Sequence, residues 1–178
     1  HVVSEMRSQY LRNNKRGGFK NLRCFPQCLK SGHHSRGFCG NYVDVKVRTR
    51  ISTESSNATI LALGRFLMDE SDTPSTDFLD LDFVVGQTYE SATILKYLRQ
   101  GGQSTQPLYI GNALESETVT ARSVRETVIT KTFRFNPTSW HYGWRSSKHL
   151  KNARHVFRVY AFMEKSVSKI LLLSRSTR

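Results

Sequence analysis

Cysteine is scarce. The 178 residues hold three, Cys24, Cys28 and Cys39, all in one short stretch. An odd number confined in this way is not the disulfide framework of a small secreted domain; a reducing compartment, cytosol or nucleus, fits better. The sequon Asn57-Ala58-Thr59 points the other way, but such triplets are common by chance, and Asn136-Pro137-Thr138 is excluded by its proline. No apolar run approaches the roughly 20 residues that a membrane span needs. The basic segments form no amphipathic helix and carry no lipidation signal, which argues against a membrane partner. Signal peptide, collagen period, heptad run, internal repeat and low-complexity segment are all absent from the sequence. The chain starts at His1 rather than Met, which reads as a piece excised from a longer protein. No phosphate-cradling glycine loop ending in Lys-Ser/Thr, no Gly-x-Ser-x-Gly elbow and no His-Glu-x-x-His occurs. The expectation is a protein that is not an enzyme and has no small-molecule substrate.

Positive charge is abundant. There are 27 Lys+Arg against 14 Asp+Glu, for a net charge of +13. Hydrophobic residues make up 38%, enough for the core of one domain over residues 1–178. The charge is segregated. Residues 1–50 hold 11 cations and 2 acids, residues 51–120 hold 3 and 10, and residues 121–178 hold 13 and 2. A surface charged only for solubility would not divide in this way. Two basic ends around an acidic middle point to a polyanion partner, with nucleic acid foremost.

Strand periodicity dominates. Tyr42 to Ile51 alternates, with Val43, Val45 and Val47 on one face and Asp44, Lys46, Arg48 and Arg50 on the other. Thr59 to Leu67 and Phe78 to Val85 read as two more strands. Ser116 to Phe135 supplies a further two, and Ser91 to Arg99 fits helix or strand. At the end, Val156 to Met163, a turn at Glu164-Lys165-Ser166 and Val167 to Leu173 read as a hairpin. Residues 1–40 read as irregular, with at most a short helix from Met6 to Leu11. About seven to nine strands at short spacing, with long basic loops and little helix, predict an all-β, immunoglobulin-like β-sandwich.

Two loops carry the candidate chemistry. The first runs from Lys15 to Gly37 and sets Lys15, Arg16, Lys20, Arg23, Lys30 and Arg36 among glycines and one proline. Glycine lets a backbone approach phosphate closely, and arginine forks onto guanine in the major groove. The second runs from Pro137 to His155. It interleaves Trp140, Tyr142 and Trp144 with Arg145, Lys148, Lys151 and Arg154. Aromatic and basic residues together can stack bases and hold phosphates; the tryptophans fit core plugs equally well. This loop gives the alternative reading, a single-stranded nucleic acid or RNA-binding module. A third class, a metal-dependent nuclease, would need two of the acids between Asp69 and Asp82. Asp80 and Asp82 instead fit the solvent face of a strand.

Cysteine and histidine donors occur as Cys24-x3-Cys28-x4-His33-His34-x4-Cys39. The types suit zinc, but the spacing matches no standard finger, ribbon or knuckle. Reduced cysteines in a DNA-contacting loop are the better expectation, with no metal or other cofactor.

Arg16-Gly17-Gly18-Phe19-Lys20, then Arg23-Cys24-Phe25 and Ser31-Gly32-His33-His34-Ser35-Arg36-Gly37 before the strand at Tyr42, resemble the recognition loop of Rel-type domains. Arg23-Cys24-Phe25-Pro26-Gln27-Cys28 is also similar to the loop of the CSL type. Arg154 to Arg178 looks like the final hairpin of these sandwiches. The resemblance is to the immunoglobulin-like DNA-binding domains of transcription factors (Rel, Runt, STAT and CSL types), and it covers about a third of the chain. It implies sequence-specific binding of double-stranded DNA by loops, transcription regulation, a nuclear location and, as in many such domains, a homodimer. A subset of Arg16, Lys20, Arg23 and Arg36 would then read base edges. Arg145, Lys148, Lys151, Arg154 and Arg175 would clamp the backbone.

Overall fold

The alternation from Tyr42 is realised as a half-buried strand. In the computed structural model Val43, Val45, Val47 and Ile51 are buried, while Lys46, Arg48 and Arg50 are exposed. The structure describes residues 1–6, 12–14, 19–22, 24–28, 30–33, 40–52, 58–68, 83–100, 106–120, 126–137, 140–145 and 155–177. Among them the order is β1 (Arg12–Asn14), β2 (Phe19–Leu22), β3 (Val43–Ser52), β4 (Ile60–Met68), β5 (Thr88–Glu90) and α1 (Ser91–Leu95). Then follow β6 (Tyr109–Thr120), β7 (Glu126–Phe135), β8 (Trp140–Arg145), β9 (His155–Ser166) and β10 (Lys169–Thr177). The fold is all-β and sandwich-like, with one helix of 5 residues among the described residues.

The main sheet has the order β3-β7-β6-β4-β9-β10-β5, and its named strand pairs are antiparallel. β6 is its hinge. Tyr109 to Gly111 pair with β4, whereas Asn112 to Thr120 pair with β7. A register shift between Ala113 and Glu115 follows the change of partner. One strand thus passes the ladder from one layer to the other, as bulged and bent strands do at sandwich corners. Between the layers lies one core. Val43, Val45, Phe133 and Phe135 from the β3/β7 side meet Ala62, Phe66, Phe157 and Val159 from the β4/β9 side.

A second apolar cluster covers the other face of β4, β9 and β10. Leu63, Tyr160, Phe162, Ile170 and Leu172 pack there against Phe83, Ile94 of α1 and Leu108. β9 is therefore buried on both faces, which accounts for its nearly continuous apolar sequence. Each fully buried Leu, Ile or Phe contributes about 1.5–3 kcal/mol of apolar transfer. Close packing leaves no space beside Gly64, where a Cβ would stand 2.5 Å from the Phe157 ring.

Several expected boundaries move. The final turn is Val167-Ser168, not Glu164-Lys165-Ser166, and the tail through Thr177 is strand. Main-chain pairing with β9 extends both arms past the residues whose alternation marks them. Of the strand expected over Phe78 to Val85, Phe83 to Val85 are described and are not strand; Phe83 instead anchors the second core. Two short strands, β1 and β2, lie in the segment expected to be irregular, and β8 forms where a loop was expected. Apolar alternation is weak in all three, and they are strands because they pair with one another. Residues 7–11, part of the expected short helix, lie outside the described residues.

Candidate nucleic-acid interface

β1, β2 and β8 form a separate small antiparallel sheet in that order. Asn14 lies opposite Lys20, and Phe19 lies opposite Arg145. The two basic stretches, far apart in sequence, are thus neighbours in one ladder. Their polarity matters as well. The connection 15–18 leaves from Asn14 and returns at Phe19, and segment 146–154 leaves from Arg145. Both depart from the same end of the small sheet.

The opposite end is anchored in the core. Leu22 faces Trp140, and both are buried. Trp140 packs edge-on to Phe25 at 5.0 Å and to Phe157 at 5.4 Å between ring centroids. Its Nε1–H donates to the Asn41 carbonyl at 3.3 Å. Trp140 is therefore a core plug, not the exposed stacking surface that the alternative reading requires. The side chains of Tyr142 and Trp144 lie outside the described residues.

The expected contact residues divide into three groups. Lys30, in a turn, and Arg175, on β10, are exposed. Lys20 and Arg145 are placed by the backbone of β2 and β8. Lys15, Arg16, Arg23, Arg36, Lys148, Lys151 and Arg154 lie outside the described residues, as do Asn57 and the acids from Asp69 to Asp82. That acidic segment leaves β4 at Met68, which pairs with His155 at the start of β9.

One cationic stripe was expected only as the solvent face of a strand, not as a contact surface. Lys46, Arg48 and Arg50 stand exposed along β3, an edge strand of the main sheet. Their i, i+2, i+4 spacing was the available signal. Residues 1–3 cover part of that edge, with the Val3 amide donating to Asp44 and the Lys46 amide to His1, each at 2.8 Å. Edge cations also oppose unwanted strand addition, so the stripe has a structural use without any ligand.

Other cations are already committed. Arg134 forms a two-pronged pair with Asp44, at 2.8 Å for each bond, and lies 3.4 Å over the Tyr42 ring. The hydrogen bond to Asp44, opposed by burial and helped by the carboxylate charge, holds its proton more tightly than usual. Arg99 donates to the Gln106 carbonyl at 2.8 Å and sits 4.9 Å from the Tyr109 ring. Burial lowers its proton affinity, and Tyr109 partly offsets this. Arg65 is buried, with Nε–H donating to the Tyr160 hydroxyl at 3.1 Å. These three serve the fold.

Beyond Leu22 the chain turns through Cys24 and Phe25, both buried. Cys24 has φ = 59°, in the left-handed region, and the Phe25-Pro26 peptide is cis. Cys24, half-buried Cys28 and exposed His33 converge, with their donor atoms all within 4.8 Å of one another. His34 and Cys39 lie outside the described residues.

Comparison with protein-family models, with curated proteins and with solved structures finds no match to this chain.

Proposed function

We propose that this domain binds double-stranded DNA sequence-specifically through loops of a β-sandwich, as part of a transcription regulator acting in the nucleus. The observation that carries the reading is the β2–β8 pairing, from one end of which two basic segments depart. A net charge of +13 supplies the sequence-independent attraction to phosphate. Arginines among glycines in segment 15–37 supply candidate readers of base edges. Arg145, Lys148, Lys151, Arg154 and Arg175 are the candidate backbone clamps. Burial of Trp140 favours this reading over base stacking on that residue.

Fluorescence anisotropy with random-sequence pools, duplex and single-stranded, from about 50 to about 200 mM salt tests it. The bound fraction is then sequenced. Duplex preference, a steep fall with salt and an enriched short motif are expected. A motif with two-fold symmetry would identify the homodimer. Single-strand preference without a motif would replace this reading with the single-strand one.

A further inference from the structure

We propose that Cys24, Cys28 and His33 bind one zinc ion, which clamps the turn after β2 onto the core. The Cys24 sulfur lies 3.3 Å and the Cys28 sulfur 3.8 Å from the same nitrogen, His33 Nδ1. Tetrahedral zinc with Zn–S of about 2.3 Å and Zn–N of about 2.0 Å sets sulfur and nitrogen about 3.5 Å apart. The two observed distances bracket that value. Hydrogen bonding explains the arrangement less well, because one imidazole nitrogen has a single in-plane position and here faces two sulfurs. Two thiolates and an imidazole are also the donors that select zinc over hard, oxygen-preferring cations.

The backbone supports the assignment. Cys24 adopts a conformation that glycine takes without strain, so the position is held for its side chain. That side chain is buried, and Gly40 lies directly against the backbone of the next residue, Phe25. An ion here would tie the chain just after β2 to the turn at Lys30 to His33. The linear spacing, which fits no standard zinc motif, hides this convergence. The fourth position of the ion is left to a further donor or to water. The proposal does not depend on nucleic-acid binding.

The test uses the full chain, purified under reducing conditions and stripped of metal with a chelator. Titration with cobalt(II), followed by zinc, is expected to saturate at one equivalent. The cobalt complex should show the visible bands of a tetrahedral site and a near-ultraviolet thiolate charge-transfer band. Zinc should raise the thermal midpoint. C28S and H33A change half-buried or exposed residues and should retain the fold; each should weaken cobalt binding by more than about tenfold. H33C should restore binding and intensify the thiolate band, which a merely structural histidine would not do. A wild-type chain that takes up no stoichiometric metal overturns the proposal. So does binding by C28S and H33A as tight as that of the wild type. A Cys24–Cys28 disulfide that forms readily in a chain binding no metal also overturns it.

Discussion

Gly40 lies against the main chain of Phe25: a Cβ at Gly40 would stand 2.7 Å from the Phe25 carbonyl oxygen. The obstacle is backbone, which cannot swing aside like a side-chain tip. Gly40→Ala is therefore expected to destabilise the domain by about 1–3 kcal/mol. Gly32 is the control. It has φ = +100°, and an added Cβ would meet nothing within 4 Å among the described residues. Gly32→Ala meets strain without a clash and should cost about 1 kcal/mol. Urea unfolding of both variants checks the order, and equal midpoints would refute it.

The second core contains a cation, Arg65, held to the Tyr160 hydroxyl and lying 5.7 Å from that ring and 5.9 Å from Phe83. Tyr160→Phe keeps the packing and removes only the acceptor. A buried hydrogen bond to a charged group is worth about 1.5–3 kcal/mol, and the variant should lose that much. Chemical denaturation with an unchanged slope would show that the loss is stability alone.

Asp44 and Arg134 form a partly exposed pair, with side chains 18% and 32% accessible. Solvent screening limits the pair to about 0.3–1 kcal/mol, the expected cost of Asp44→Asn. The sign of its pH dependence follows from Arg134. Its folded-state proton affinity is raised, so the contribution is fully present below the ordinary arginine range and is lost only above it. The stability difference between wild type and D44N should not change as pH rises from neutral towards that range. Unfolding at a series of pH values reads this directly.

Trp140 is predicted to act through packing. Trp140→Ala should cost about 3–5 kcal/mol, as for other large core truncations. Trp140→Phe should retain the fold and bind nucleic acid as the wild type does. A large loss of single-strand affinity in W140F, with an unchanged melting curve, would restore the stacking role.

Arg145 tests the proposed interface. Arg145→Ala should weaken duplex binding about equally for all sequences and reduce the salt slope by about 1. Asp44→Asn, on another sheet, should not alter the slope. Anisotropy titrations at several salt concentrations measure both.

Alternation was legible where one face of a strand meets the core and the other meets water, as in β3. β3 and the body of the β9–β10 hairpin were expected from it, because a two-residue period allows one register to bury Val43, Val45 and Val47 together, whereas β4 was expected from a continuous apolar run and β7 from a segment rich in Thr and Val. The segregation of cations to the two ends is likewise a property of the chain. The short strands β1, β2 and β8 were not legible, since three to six residues with little periodicity become strand only by finding partners.

Long-range pairing and side-chain convergence belong to the folded chain. Whether Trp140 faced solvent or core depended on Phe25, Phe66 and Phe157 assembling around it, each from a different part of the sequence. The meeting of Cys24, Cys28 and His33 at one nitrogen required the left-handed backbone at Cys24 and the turn at Lys30. Local composition fixes which residues prefer water and which avoid it. Which of them touch is set by main-chain hydrogen bonds and close packing between distant segments, and neither leaves a periodic mark on the chain.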